Sequence, residues 1–89
     1  MRTPFYTNRF EKDLRLMIKR GCDPESIKMI IRKLIAEEPL ERKYHDHVLI
    51  GNFKDRRECH VEPDWLLIYR IDGDKIIFER TGTHADLFK

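Results

Sequence analysis

The spacing of hydrophobic residues divides the chain into a helical first half and an extended second half. The first apolar set recurs at helical spacing and comprises Phe10, Leu14, Met17 and Ile18. Asn8 followed by Glu11 is typical of an N-terminal cap, and Gly21 suits the left-handed residue that ends a helix. The pattern therefore predicts a first helix from Asn8 to about Arg20, preceded by a short extended segment at Arg2–Thr7.

A second helix is predicted directly after the first. Asp23 is a favourable N-cap, and Pro24 suits the first helical position. The apolar stripe that follows consists of Ile27, Ile30, Ile31, Leu34 and Ile35. Pro39 ends the helix. The two helices should form a hairpin around Gly21–Asp23, and their stripes need a further layer to pack against.

From His47 onward the hydrophobic period changes to the alternation of β-strands. The predicted strands cover residues 48–50, 56–61, 65–71 and 75–81, with turns at Gly51-Asn52 and at Asp72–Asp74. In the last strand Ile76, Phe78 and Arg80 should share one face, with Ile77 and Glu79 on the other. One face can then cover the helices while the other lines a groove.

These elements predict a single α+β domain over residues 1–89. A short N-terminal strand and a two-helix hairpin pack on one face of a twisted antiparallel sheet. A chain of 89 residues buries one small core, so a shallow surface site is expected. The net charge of +2 requires any nucleic-acid contact to come from local placement of Lys and Arg.

Compartment and redox state follow from what the sequence lacks. No window approaches the ~18 apolar residues of a membrane span, and the N-terminus has no apolar signal segment. We expect a cytoplasmic protein without membrane contact. Cys22 and Cys59 are too few for a disulfide-dependent fold and are interpreted as reduced thiols.

Two polar clusters flank the apolar run Leu66–Ile71, and they are the main candidates for chemistry. His60–Trp65 precedes the run and Glu79–His84 follows it. Cleavage of RNA through its 2′-hydroxyl needs a base, an acid and a cation that stabilises the phosphorane. Imidazole, with an ordinary pKa of about 6.5, can take the first two roles, and the guanidinium of Arg80 can take the third.

Two aromatic residues could stack on unpaired bases. Trp65 and Phe88 lie at the start of the apolar run and at the end of the chain. Base stacking on such side chains contributes about 1–3 kcal/mol per base. For Trp65 a position in the core is the competing interpretation, whereas Phe88 has less reason to be buried.

Other interpretations of these polar residues stay open. A zinc site could be formed by His45, His47, Cys59 and His60, although adjacent Cys59 and His60 would face opposite sides of a strand. The run Lys54–Glu58 could be a solvated charged hairpin or a patch that steers phosphates.

The chain resembles the YafQ-type branch of the RelE toxin superfamily. The resemblance covers essentially the whole chain and lies in Tyr44–His47, His60–Trp65, Leu67–Tyr69, Phe78–His84 and Leu87-Phe88. It implies a RelE-like fold and metal-independent, cofactor-free cleavage of mRNA in the ribosomal A site, leaving a cyclic phosphate and a 5′-hydroxyl. The partners it implies are mRNA, the ribosome and a cognate antitoxin, with operator DNA as a further partner of the toxin–antitoxin complex. The alternative interpretation is a non-catalytic module of the same fold that binds the ribosome or the antitoxin.

The resemblance also assigns site residues, each of the type that the family pattern requires. They are His47, His60, Asp64, Trp65, Arg80, His84 and Phe88. We expect His84 and His60 to transfer protons, with His47 assisting or holding phosphate. Asp64 would orient an imidazole and Arg80 would contact the scissile phosphate. His45 lies outside the family set.

Overall fold

The computed structural model describes residues 1–49 and 55–88, and within them strands and helices follow the predicted order. The elements are β1 (Thr3–Tyr6), α1 (Asn8–Lys19), α2 (Pro24–Ile35), a 3₁₀ turn (Arg42–Tyr44), β2 (His47–Val48), β3 (Arg57–Glu62), β4 (Trp65–Asp72), β5 (Lys75–Gly82) and α3 (His84–Leu87). The predicted turn at Gly51-Asn52, together with Ile50 and Lys54, lies outside the described residues. None of the helices in the described ranges has the length and apolar character needed to cross a membrane.

The helix starts differ slightly from the predicted ones. Asp23 caps α2 by accepting a hydrogen bond from the backbone N–H of Glu25, and Pro24 opens that helix, as predicted. The cap of α1 is Thr7 rather than Asn8, because the Thr7 hydroxyl accepts the N–H of Phe10 at 3.0 Å. The same hydroxyl donates to the carbonyl of Glu79, so a tertiary contact with the sheet determines where α1 begins.

The sheet contains five strands in the order β1-β5-β4-β3-β2 among the described residues. Strands β2 to β5 form the predicted antiparallel meander. Strand β1 joins it in parallel with β5, pairing Thr3–Tyr6 with Lys75–Phe78. The predicted α+β class is confirmed, and the N-terminal strand makes the sheet mixed rather than wholly antiparallel.

The main core lies between the helices and one face of the sheet. From α1 and α2 it receives Phe10, Met17, Ile27, Ile30, Ile31 and Leu34, and from the sheet Cys59, Val61, Trp65, Leu67, Tyr69, Ile76 and Phe78. The alternate residues Leu66 and Ile68 face the other side, where they pack against Leu87 of α3. We call this second side the open face. Apolar residues on both faces explain why β4 is an almost continuous hydrophobic run.

A β-bulge changes the face of the residues near the end of β5. Tyr69 pairs with Phe78, but the preceding residue Ile68 pairs with Arg80, so Glu79 is an extra residue in β5. The prediction that Arg80 shares the face of Phe78 is therefore wrong. The bulge moves Arg80 to the open face, beside Ile68, because strand partners point to the same side.

Strand register then aligns the polar candidates on the open face. Glu58 of β3 pairs with His47 on one side and with Ile68 on the other, and Ile68 pairs with Arg80. His60, two residues after Glu58, points the same way. Three strands thus contribute an imidazole, a carboxylate or a guanidinium to one surface, directly opposite the helix-packed core.

Candidate active site

Glu58 lies between two imidazoles on the open face. Its carboxylate oxygens are 3.4 Å from Nε2 of His47 and 3.6 Å from Nε2 of His60. Glu58 is only 6% exposed, whereas His47 is exposed and His60 is partly buried. Glu58 thus places a carboxylate within interacting distance of both imidazoles. Sequence reasoning missed Glu58, although its position two residues before His60 on a strand placed both on one face.

Asp64 holds the ring of His84 from the turn between β3 and β4. One oxygen of Asp64 accepts the backbone N–H of His84 at 3.0 Å and lies 2.7 Å from Nδ1 of the same residue. These bonds, first that of the backbone N–H and then that of the ring, lower the pKa of Asp64 from its ordinary value. The carboxylate therefore stays charged and lies where it can orient the imidazole, which is the role expected for it from the sequence. The bond through Nδ1 leaves Nε2 on the far side of the ring from Asp64.

The short helix α3 places His84 at the end of β5. Thr83 caps α3 through a capping box in which its hydroxyl accepts the N–H of Asp86 and the Asp86 carboxylate accepts the N–H of Thr83. Arg20, the C-cap residue of α1, donates to Asp86 at 2.7 Å. The bond from Arg20, followed by that from Thr83, holds the pKa of Asp86 far below its ordinary value. The first residue of α3 is thus tied to the core helices.

Gly82 makes this close approach possible. It has a positive φ of 159°, and a Cβ at this position would lie 3.1 Å from the Cβ of Asp86. A larger residue would push α3 away from the strand. The Gly in the Arg80–His84 motif therefore serves the placement of His84.

Four aromatic rings form a row across the site. The ring centroids of His45 and His60 are 5.4 Å apart, those of His60 and His84 are 5.7 Å apart, and those of His84 and Phe88 are 6.4 Å apart. Phe88 is 39% exposed at the end of this row. The predicted site residues His60, His84 and Phe88 are thereby brought together, with His45 as an addition.

Arg80 reaches the open face but also contacts the first helix. Its Nε donates to Asp13 at 2.7 Å, and the same carboxylate accepts the N–H of Thr81 at 3.2 Å. Within the described residues β1 pairs with Lys75–Phe78 of β5, so Asp13 satisfies a backbone group of β5 beyond the end of β1. A phosphate that binds Arg80 therefore has to share the guanidinium with Asp13 or displace it.

Trp65 is placed differently from the predicted RNA contact. It is 2% exposed, packs in the helix-facing core and donates its Nε1–H to the hydroxyl of Thr81 at 2.9 Å. Its ring has no free face for a base. We therefore correct its assignment: Trp65 supports the strand that carries Arg80, and the competing interpretation as a core residue holds.

Asp46 anchors the segment that carries His47. Its carboxylate accepts the hydroxyl of Tyr69 at 2.5 Å and lies 3.3 Å from Nη2 of Arg57. Burial, followed by the bond to Asp46, raises the pKa of Tyr69 above its ordinary value. Because Tyr69 belongs to the core, this contact connects β2 to rigid structure.

The charged run Lys54–Glu58 is more than a solvated hairpin. Among its described members, Arg57 bonds Asp46, Glu58 is buried beside the histidines, and Arg56 pairs with Glu79. The alternative of a patch that steers phosphates is also weakened, because the carboxylates of Glu79 and Asp46 offset the positive charges of Arg56 and Arg57.

A metal could find donors at this site, but from a different set than the sequence predicted. Cys59 is fully buried on the helix-facing side, and burial raises the pKa of its thiol, so it does not join His60. The donor atoms of His47, Glu58 and His60 instead lie within 4.8 Å of one another. Two imidazoles and a carboxylate form a donor set that suits zinc or copper.

Comparison with known proteins shows a match to one protein family over nearly the whole chain. A family model described as a bacterial toxin of type II toxin–antitoxin systems, YafQ, matches residues 2–89. The mRNA interferase toxin YafQ of Escherichia coli K12 is 45% identical over 84 residues, which cover 93% of this chain and 91% of that protein.

Solved structures agree with this family match. The E. coli DinJ–YafQ complex contains a chain that superposes with a TM-score of 0.93 at 43% identity, covering 100% of both chains. A copper-bound mutant toxin from Helicobacter pylori superposes with a TM-score of 0.94 at 35% identity, covering 99% of this chain and 100% of that one. The RelE-like fold, the open face with its histidines and the family match together show that the chain belongs to the YafQ family of bacterial type II toxins, whose curated E. coli relative is named an mRNA interferase.

Proposed function

We propose that this protein is an endoribonuclease that cleaves mRNA in the ribosomal A site by metal-independent acid–base chemistry. The observation that carries the proposal is the imidazole of His84, held at Nδ1 by Asp64 and 5.7 Å from the ring of His60. Two imidazoles at this separation can serve opposite sides of one phosphodiester. The name of the E. coli relative, an mRNA interferase, supports RNA as the substrate.

In the proposed reaction, an imidazole base removes the proton of the 2′-hydroxyl and the 2′-oxygen attacks the adjacent phosphorus. The bond from phosphorus to the 5′-oxygen breaks, and a protonated imidazole donates a proton to that oxygen. The products are a 2′,3′-cyclic phosphate and a 5′-hydroxyl. His84 and His60 are the proposed proton-transfer pair, and His47 assists or holds phosphate beside Glu58.

Arg80 and Phe88 are the proposed substrate-binding residues. Arg80 lies on the open face, because it pairs with Ile68, which in turn pairs with Glu58. From there its guanidinium can stabilise charge on the phosphorane. Phe88, exposed beside His84, can stack on a base next to the scissile phosphate.

The modest net charge of +2 fits a nuclease that works in the ribosome. A ribosome-bound mRNA is already held and oriented, so the protein needs few phosphate contacts of its own. Because the proposed substrate is mRNA on translating bacterial ribosomes, we expect the activity in the cytoplasm.

The test is primer extension on a defined mRNA incubated with the purified protein, in the presence and in the absence of translating ribosomes. We expect new 5′ ends only with ribosomes, undiminished by EDTA, and none with His84→Ala. Cleavage of free mRNA at the same rate would refute ribosome dependence. Stalled ribosomes without new 5′ ends would instead support the alternative of a non-catalytic ribosome-binding module.

A cognate antitoxin is the second proposed partner. The solved structure of a relative is a complex with DinJ, and the family consists of toxins from toxin–antitoxin systems. An antitoxin bound over the open face would cover the histidines and stop cleavage. Co-expression with the protein encoded by the neighbouring gene, followed by co-purification and a band-shift assay on the operon's promoter DNA, tests both this partner and operator binding.

Binding of a transition metal is a second candidate function, favoured by the donor set His47, Glu58 and His60. The copper-bound relative from H. pylori supports it. A metal held there would occupy imidazoles that the proposed reaction needs, so it should inhibit cleavage. Calorimetric titration with Cu²⁺ and Zn²⁺ tests the site: His60→Ala should abolish binding, whereas His84→Ala should preserve it. Equal binding by both variants would contradict this donor set.

A further inference from the structure

A groove of about 860 Å³ opens beside the histidine row; His47 and His60 form one wall of it, and the proposed reaction assigns no role to the rest of its lining. It lies between α2, the 3₁₀ turn and the end of β3, next to the part of β3 that has no partner in β2. Its lining includes Met29, Tyr44, His45, His60 and Pro63. The volume falls in the range of about 300–1,000 Å³ that is typical of pockets for small ligands.

His45 forms the wall that this groove shares with the catalytic histidines. Its backbone adopts a left-handed conformation with φ of 47°, and its N–H closes the 3₁₀ turn by bonding the carbonyl of Arg42 at 3.0 Å. The next residue, Asp46, is fixed to Tyr69. The exposed imidazole of His45 is thereby held edge-on to His60 at 5.4 Å. His45 is the histidine that neither the family pattern nor the proposed mechanism employs.

The row of rings indicates on which side of the scissile phosphate the groove lies. In the described part of the chain, Phe88 lies on one side of His84 and His60 in this row, and His45 lies on the other side. Because the scissile phosphate must lie near His60 and His84, its two neighbouring bases extend toward opposite ends of the row. One end is the exposed ring of Phe88, and the other is the groove beside His45.

We propose that this groove is a nucleobase subsite for the nucleotide that flanks the scissile phosphate on the side away from Phe88. The inference rests on the proposed ribonuclease function. The imidazole of His45 stacks on the base, and the side chains of Met29 and Pro63 cover its edge. Glu62, which also lines the groove, offers an acceptor for an exocyclic amino group. This subsite therefore contributes to the sequence preference of cleavage.

The test replaces His45 in two ways and maps mRNA cleavage sites by 5′-end sequencing. His45→Asn removes the ring but keeps a residue that tolerates the left-handed backbone. His45→Phe keeps a ring for stacking. We expect the Asn variant to cleave preferred sites about 5- to 150-fold more slowly and to spread cleavage over more sequences. The Phe variant should retain most of the rate.

A matched pair of helix substitutions probes the groove itself. Met29 lines it, whereas Ile18 of α1, exposed to a similar degree, does not (44% and 42%). Met29→Glu should lower cleavage by introducing negative charge against the RNA, and Ile18→Glu should leave cleavage unchanged.

Two results separate the inference from the proposed function. If His45→Asn and Met29→Glu cut the same sites at the wild-type rate while His84→Ala is inactive, the subsite is refuted and the nuclease stands. If the wild-type protein itself produces no new 5′ ends on translating ribosomes, the proposed function fails. Melting temperatures of each variant exclude loss of fold as the cause of lost cleavage.

Discussion

The segment that carries His84 and the segment that carries His47 are held in different ways. His84 is bonded through its backbone and its ring to Asp64, and its helix is closed by a capping box and tied to Arg20. His47 lies in a two-residue strand, where its ring is 3.3 Å from the carbonyl of Val48 and 3.4 Å from Glu58. A proton-transfer group needs fixed geometry, whereas a phosphate-holding group tolerates more variation. The contrast supports different roles for these two histidines.

Replacing each histidine by alanine is the strongest test of this contrast. His84→Ala should reduce single-turnover cleavage on ribosomes by about 10²- to 10⁴-fold, because a general acid or base is lost. His47→Ala should cost less, about 10- to 100-fold, because a hydrogen bond to charge is lost. Equal losses would remove the proposed distinction. Circular dichroism of both variants serves as the control for folding.

Asp64→Asn tests whether His84 depends on its orienting carboxylate. The amide keeps the shape but replaces the charged acceptor of the bond to Nδ1 of His84 by a neutral one, which weakens that bond. We expect about a 5- to 10-fold lower cleavage rate with little change in substrate affinity. An equally large loss from Asp74→Asn, an exposed carboxylate in the turn between β4 and β5 and outside this contact, would argue against a specific role for Asp64.

Tyr69→Phe tests the anchor on the His47 side. Removing the hydroxyl deletes the bond to Asp46, which should lower the free energy of unfolding by about 1 kcal/mol and cleavage by a few-fold. In a double-mutant cycle the loss of cleavage should disappear when His47 is already alanine, because Tyr69 acts through His47. Additive losses of cleavage would show that Tyr69 affects the site by another route.

Acid should destabilise the contacts around His84, because protonation removes the negative charges of Asp64 and Asp86. The folded-state pKa values of Asp64 and Asp86 lie below their ordinary value of 3.8. Such groups stabilise the fold fully above the unfolded pKa and lose that contribution as pH falls through the folded pKa. The free energy of unfolding, measured by urea denaturation at a series of pH values, should therefore fall as pH drops below about 4. Asp86→Asn should remove part of this acid transition, and an unaltered transition would contradict the assignment.

Much of the fold could be predicted from local patterns. The stripes from Phe10 to Ile18 and from Ile27 to Ile35 predicted both helices, since burial of one face imposes helical spacing. The Asp23-Pro24 start and the turn before Lys75 were likewise local signals. The cap at Thr7 was missed by one residue because the bond of its hydroxyl to Glu79 joins positions far apart in sequence.

The candidate site was predicted less completely, for reasons visible in single residues. His60, Asp64, His84 and Phe88 lie together as the motifs and the family resemblance implied. Trp65 was assigned to RNA, but its indole N–H is satisfied by Thr81 within the core. Glu58 looked like part of a solvated run, and only strand pairing shows it between His47 and His60.

The sequence by itself determined the elements, the family and the residue types available for chemistry, because these depend on local periodicity and on motifs. Tertiary structure alone decided which of those residues share a surface. The bulge at Glu79 turned Arg80 to the open face, the parallel pairing of β1 left Asp13 beside it, and the Asp46–Tyr69 bond set the histidine segment against the sheet. These are contacts between distant positions, and a one-residue change of register reverses the face on which a side chain lies.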